Sequence, residues 1–293
     1  MFKTLNLGAL SFSAPFEEAL SLASTNRFDS LDLSFPELIQ QVQQTSIQDV
    51  KDRFREVGIR PGGWMLPIDF YNTDTIYQKD LAELPRYAAL AQALGSSWCA
   101  TWIIPFSDEL DEDINMKFHI HRLRPVAQIL ADHGSRLGLE FLGPKMLRAN
   151  HKYPFISTIA GALELGDRLQ TGNTGLLLDA WHWYTSHASV DELRCLTANQ
   201  VVYVHVNDAP ADRNIDEQVD EQRLLPGTSG VIDIVGFLQA LDHIGFDGPV
   251  AVEPFNAELN TLKPTERAYM AGQSIAKIWE QAELYSKKKE SEL

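Results

Sequence analysis

The sequence predicts an α/β chain folded as a single (β/α)8 barrel, a TIM barrel, on three observations. Eight short runs rich in β-branched and aromatic residues recur along the 293 residues, each is followed by a longer stretch of helical period, and no Pro/Gly/Ser-rich linker divides the chain. Strict strand-helix alternation implies a parallel sheet, because each return to the same strand direction needs a crossover. A doubly wound open sheet is the alternative that the same alternation allows.

In chain order, the first strand is expected at 4–9 (TLNLGA) with a helix at 15–26, and the second at 28–33 (FDSLDL) with a helix at 36–56. The third, 59–66 (IRPGGWML), is interrupted by Gly62 and Gly63 and leads to a helix at 78–94. The fourth, 96–103 (SSWCATWI), precedes a helix at 113–134, and the fifth, 137–142 (LGLEFL), one at 154–170. The sixth, 174–179 (TGLLLD), precedes a helix at 187–197. After the seventh, 201–207 (VVYVHVN), the long connection 208–232 reaches a helix at 233–244, and the eighth, 249–254 (PVAVEP), is followed by a helix at 262–284. Glycines at 58, 95, 134 and 245 punctuate helix ends. The barrel is expected over 1–285, with 286–293 (SKKKESEL) a disordered C-terminal tail. The connections that follow strands are the long ones, and a barrel carries its active site on them.

A content of 44% hydrophobic and 10% aromatic residues suffices for a large core. The formal net charge of −15 would repel a phosphate backbone, which argues against nucleic acid as a partner. There is no leader pattern at the start and no apolar run of about 18 residues or more, so no membrane partner and a cytoplasmic location are expected. Cys99 and Cys195 neither staple a secreted fold nor supply a thiolate cluster, and both are expected in the core. No GxGxxG or Walker element indicates a nucleotide cofactor.

Acidic residues or histidine fall near the C-terminal ends of four successive strands: Glu140 in LGLEFLG, Asp179 in GLLLDAWHW, His205 in VVYVHVND and Glu253 in PVAVEPF. Alone, each has an ordinary reading: a solvent-facing charge, a helix N-cap, a satisfied core histidine, an arginine partner. Together they need a shared solution, because a lone carboxylate buried among Leu and Val costs several kcal/mol or more. In a closed barrel the ends of strands five to eight converge, so three carboxylates and one imidazole can surround one divalent cation. Donors without thiolate suit Mn, Mg, Co or Zn. Trp102 and Trp181 lie at strand ends where an aromatic wall can stack on a sugar, whereas Trp64 and Trp183 read as core fillers. His119 and His121 are two apart on a helical pattern, hence on different faces, and read as surface residues. His151 and His187 are not assigned to the metal.

These motifs, GLEFLGP (138–144), LLLDAWHWY (176–184), VHVND (204–208) and LLPGTSGVID (224–233) through AVEPF (251–255), resemble those of the xylose isomerase-like superfamily, the sugar phosphate isomerase/epimerase proteins. The likeness spans nearly the whole chain. It implies metal ligands at Glu140, Asp179, His205 and Glu253, a histidine three residues beyond the aspartate at His182, and an arginine ahead of the Pro-Gly of the seventh loop at Arg223. It also implies a small polyhydroxylated carbonyl substrate and a homo-oligomer.

The chemistry expected is removal of a C–H proton beside a carbonyl, the divalent ion stabilising the resulting enediolate. Glu140 and Glu253 are the expected base and acid, with His182 donating to the oxygen that becomes anionic. Arg223 is expected to anchor a substrate oxygen, beside Trp102 and Trp181. Asp208 is placed to hold the histidine ring or to cap the next turn. Proton return to the other face gives epimerisation, return to the neighbouring carbon gives isomerisation, and loss of a β-hydroxyl gives dehydration. The main rival is thus a lyase acting on a keto-inositol or dehydroshikimate-like ring. A barrel that only binds sugar is a third reading. An apurinic-site endonuclease, which shares the Asp-x-x-His and His-x-Asn-Asp elements, needs further histidines that WMLP and ATWI do not offer.

Overall fold

The computed structural model describes residues 1–284, so the expected tail at 286–293 and the barrel's final residue, 285, lie outside the described residues. Strands and helices alternate as β1 (Phe2–Leu5), α1 (Phe16–Thr25), β2 (Ser30–Leu31), α2 (Phe35–Gln44), α3 (Ile47–Glu56), β3 in two pieces (Arg60–Pro61 and Trp64–Met65), α4 (Asp74–Leu94), β4 (Trp98–Ile103), α5 (Glu112–Asp132), β5 (Arg136–Phe141), α6 (Ile159–Leu169), β6 (Thr174–Asp179), α7 (Ala180–Thr185), α8 (Val190–Arg194), β7 (Val201–Val206), α9 (Ile234–His243), β8 (Pro249–Val252) and α10 (Pro264–Gln281). A small antiparallel pair, Phe106–Ser107 with Tyr153–Pro154, lies outside the main sheet. Among the described residues no helix is long and apolar enough to cross a membrane.

The strands pair in parallel in chain order, and the two pieces of β3 stand at opposite ends of the sheet: Arg60–Pro61 pairs with β2 and Trp64–Met65 with β4. Since only Gly62 and Gly63 separate the pieces, the sheet closes on itself as the expected eight-stranded barrel. The glycines that weaken β3 as a sequence pattern are what let it close. A Cβ on Gly62 would lie 2.4 Å from Thr4 Oγ1, and one on Gly63 would lie 2.4 Å from the Tyr203 ring. The lumen there is already filled by Ala100, Leu177, Tyr203 and Ala251, with Met65 and Trp98 against them. Below, Phe2 packs edge-on to Trp98 and the Arg60 guanidinium lies over the Phe2 ring. Apolar helix faces close the outer core, as with Leu123, Val126, Ala127 and Leu130 of α5.

Four expectations shift. β1 ends at Leu5 rather than running to 9, because Asn6 Oδ1 accepts the Ala9 N–H at 3.0 Å and turns the chain. The helix expected over 36–56 is two, broken at Thr45, with Ser46 capping α3 by accepting the Asp49 N–H. His119 is buried, not on the surface: its Nδ1 lies 2.9 Å from the Asn115 carbonyl and its Nε2 3.1 Å from Tyr71 Oη, with Phe70, Phe118 and Phe155 around the ring. Cys99 is in the core as expected, whereas Cys195, at the C-cap of the short α8, is exposed.

Candidate metal centre

β5, β6, β7 and β8 each deliver one functional side chain to the C-terminal mouth of the barrel. Glu140 is the penultimate residue of β5, Asp179 ends β6 and N-caps α7, His205 is in β7 paired in register with Asp179, and Glu253 follows β8 directly. One donor atom from each of the four lies within 4.8 Å of the others, and all four residues are buried. His205 Nδ1 faces the three carboxylates, at 3.1 Å from Glu253 Oε2, 3.7 Å from Glu140 Oε1 and 3.8 Å from Asp179 Oδ2.

Burial pushes Glu140 up to about 8, with Glu253 and Asp179 adding to the shift and His205 opposing it. Burial acts the same way on Asp179, but the Arg223 charge, then His182 and His205, hold it below the ordinary carboxylate range. Burial disfavours charge on His205, yet Glu253 and Glu140 hold it well above the usual histidine range. His182, lowered to about 4 chiefly by burial, is neutral at pH 7.

Arg223 is not a solvated loop residue. It is buried, with Nη1 2.8 Å from Asp179 Oδ2 and 2.7 Å from Glu253 Oε2, and Nη2 2.7 Å from Asp220 Oδ1. Its guanidinium lies between the Trp181 and Phe255 rings. Asp179 is also held through Oδ1, which accepts the Trp181 N–H at 2.6 Å and the Asn207 Nδ2–H at 2.9 Å. Asn207 and Asp220 are the supporting residues that sequence reasoning missed, although Asn207 stands in the quoted VHVND motif.

The residues fit a divalent ion. Three carboxylates and one imidazole bring a donor atom each within 4.8 Å of the others, the number and kind of donors that one such ion takes. Glu140 Oε1 and both ring nitrogens of His205 are buried and make no hydrogen bond of ordinary geometry among the described residues, which buried polar atoms avoid unless something else satisfies them. Oxygen-rich donors with one imidazole suit a hard or borderline cation.

His182 sits beside this cluster. Its Nδ1 lies 3.3 Å from the Gly143 N–H, and its Nε2 lies 3.2 Å from Arg223 Nη2 and 3.8 Å from Glu140 Oε1. Gly143 comes that close because a Cβ there would lie 2.3 Å from the His182 carbonyl oxygen. Asp208 caps the long loop rather than holding His205: its carboxylate accepts from the backbone N–H groups of Ala209, Ser229, Gly230 and Ile232. Lys145 and His187 grip Asp216, tying that loop to its neighbours. Trp102, 48% exposed, stands at the mouth in register with Glu140, whereas Trp181 is fully buried beneath Arg223. Trp64 and Trp183 are buried, as expected of core residues.

Residues 20–278 match the family model described as Xylose isomerase-like TIM barrel. The chain belongs to that family. Within the xylose isomerase-like TIM barrels it is similar to the inosose isomerase of Bacillus velezensis, 25% identical over 255 residues that cover 85% of this chain and 87% of that protein. A 3-dehydroshikimate dehydratase of Pseudomonas putida is 22% identical over 282 residues, which make up 95% of this chain and 42% of that protein. Among solved structures, a xylose isomerase domain protein from Alicyclobacillus acidocaldarius superposes with a TM-score of 0.85 at 30% identity, over 97% of this chain and 99% of that one. An IolI protein with a bound zinc atom shares the fold, with a TM-score of 0.78 at 22% identity over 96% and 99%.

Proposed function

We propose that this protein is a divalent-metal-dependent isomerase or epimerase that moves a proton on a small, polyhydroxylated carbonyl compound. The observation that carries the reading is the convergence of Glu140, Asp179, His205 and Glu253 on one point at the barrel mouth. The similarity to inosose isomerases supports the reaction class. Glu140, Asp179, His205 and Glu253 would hold the ion, and manganese is the first to test, with Mg, Co and Zn beside it. Bound there, a divalent ion supplies Lewis-acid stabilisation of the charge that develops on the substrate oxygens.

The chain's own residues do the rest. Glu140 holds or returns a proton at a carboxylate oxygen, and Glu253 does so from the neighbouring arc of the cluster. His182 Nε2 and Arg223 Nη2 lie 3.2 Å apart at the edge of the cluster. With the proton on Nε2, a substrate oxygen beside both nitrogens gains two hydrogen bonds as its charge grows. Arg223 thereby anchors substrate while its other nitrogen orients Asp179 and Glu253. Trp102 offers its exposed ring to the sugar at the rim, and Trp181 acts from below by fixing Arg223. The protein acts in the cytoplasm as a homo-oligomer.

The decisive experiment combines elemental analysis with deuterium incorporation from D2O into keto sugars and keto-inositols. About one equivalent of metal and exchange of the hydrogen beside the carbonyl are expected, and absence of both after reconstitution with manganese refutes the reading. The similarity to 3-dehydroshikimate dehydratases favours a second outcome, loss of a β-hydroxyl from the same deprotonated substrate. Release of water with a conjugated carbonyl product, followed by ultraviolet absorbance, would mark that lyase.

A further inference from the structure

Asp32 and Asp220 stand at the barrel mouth outside the four-residue cluster, and they are satisfied in different ways. Asp32 lies over β1 to β3, beside a cavity of about 620 Å³ walled by Phe12, Phe35 and Trp64. Register puts it in the same ring as the ligand candidates: Thr4 pairs with both Ala251 and Ser30, so two residues further on Asn6 lies beside Glu253 on one side and Asp32 on the other. Its donors are neutral. Oδ1 accepts from Thr4 Oγ1 and from the Gly63 N–H, both at 2.8 Å, and Oδ2 from Tyr203 Oη, whose ring stands edge-on to His205 at 5.2 Å. Asp220 has a charged donor instead, and shares it with two of the ligand candidates.

The sharing is divided by edge. Arg223 gives Nη1 to Asp179 Oδ2 and Glu253 Oε2, the same two oxygens that face His205 Nδ1. It gives Nε at 3.3 Å and Nη2 at 2.7 Å to Asp220 Oδ1. Both bonds to Asp220 fall on one oxygen, so among the described residues Oδ2 is left to complete a two-oxygen pairing. The backbone beside Arg223 is fixed to the ends of the strands that deliver His205 and Glu253. Leu224 exchanges two backbone hydrogen bonds with Asp208, just past β7, and the Arg223 carbonyl accepts from Asn256 Nδ2, beyond β8. Asp220 sits in the turn before, where the Gln222 N–H reaches the Val219 carbonyl at 3.0 Å. The Arg223 side chain is 1% exposed, so it cannot turn to water for a partner.

We infer that Asp220 is a positioning residue that makes Arg223 compatible with a bound divalent ion: it takes over the guanidinium when Asp179 and Glu253 are engaged by the ion. The inference rests on the metal-dependent reading above and adds a residue to it. The two carboxylates cannot serve both cations in full, and a buried guanidinium left without an anionic partner is strongly destabilising. Asp220 is the one anionic partner of Arg223, among the described residues, that is not also a ligand candidate. A planar fork suits this division, since one edge can stay on Asp220 while the other gives way, which the point charge of a lysine could not do. Held by its Nε–Nη2 edge, Arg223 also keeps Nη2 at 3.2 Å from His182 Nε2, so the pair offered to a substrate oxygen stays together.

The test is a double-mutant cycle read by calorimetric titration of manganese into metal-free protein, with Asp220→Asn, Arg223→Gln and the two combined. Asp220→Asn should weaken the manganese Kd about tenfold, within the usual range of coupling between contacting residues. In the Arg223→Gln background the same change should alter Kd less than about twofold, because no guanidinium is left to hold. Equal weakening with and without Arg223 would show that Asp220 acts on the ion only as a nearby charge, and an unchanged Kd in Asp220→Asn would show that it does not act at all; either overturns the inference while leaving the metal reading standing. Asp220→Ser gives the same reading should the asparagine variant not fold. If the wild type takes up no manganese, it is the metal reading that has failed, and urea unfolding of the metal-free proteins then decides the pairing. A midpoint lowered by Asp220→Asn only where Arg223 is present supports it, and equal lowering in both backgrounds refutes it.

Discussion

The two halves of the barrel mouth are built on opposite terms. β5 to β8 bring three carboxylates, one histidine on a strand, another on α7 and a loop arginine into mutual contact, so each charge is set by its neighbours. β1 to β3 bring an asparagine, a tethered aspartate and an aromatic wall around open volume. One half is organised by electrostatics, the other by shape. Substitutions in the first should change rate and metal content, and substitutions in the second should change fit and stability.

The largest effects test the first half. Glu140→Gln and Glu253→Gln should each lower deuterium exchange by about 10³-fold or more, toward the top of the range for general acid-base groups; full activity in Glu253→Gln would dismantle the proposed pair. Asp179→Ala and His205→Ala should lose metal, with content falling from about one equivalent to none by elemental analysis. Their melting temperatures should no longer respond to a chelator. Metal retained in both would place the ion elsewhere. His182→Ala should slow kcat by about 10²-fold with metal content unchanged, as expected on removing one donor to a developing anion. Loss of metal in that variant would make His182 a support of the ligands rather than a donor to substrate.

Smaller effects probe the second half and the scaffold. Gly63→Ala pushes a methyl against Tyr203 and should cost about 1 to 3 kcal/mol in urea unfolding, the usual penalty of overpacking. Metal content should survive, and an unchanged urea midpoint would show that the lumen has slack. Ser189→Ala removes the capping box of α8 and should cost about 1 kcal/mol with no effect on exchange. An altered exchange rate there would mean that the two halves do not exhaust the functional surface.

Much of the first half was legible in the sequence, because a charge amid Leu and Val at a strand end is visible without coordinates and four of them in succession demand a common partner. The placement of Glu140, Asp179, His205 and Glu253 followed from strand order alone. Arg223 was harder, since it lies in the connection 208–232, where no period says which residues turn inward; its burial comes from Asp179, His182 and Glu253, 44, 41 and 30 residues away. The second half was barely legible. Asn6 and Asp32 look like ordinary turn residues, and only closure through β3 sets them beside Glu253. His119 shows the same limit: helical spacing separated it from His121, but the neighbours on each face come from Tyr71 and Phe155, on other connections. Helix α7 escaped notice because its six residues, AWHWYT, start on a cap that is also a metal-ligand candidate.

The closeness of Gly63 to Tyr203 also bears on how such a chain can change over generations. An aromatic ring at 203 forbids a side chain at 63, so neither position is free to drift alone. A shrinkage at 203 would have to come first, opening room at 63 and at the same time removing the hydroxyl that holds Asp32. The price of a sturdier third strand would be a looser grip on whatever the barrel mouth holds, and the two losses would be inherited together.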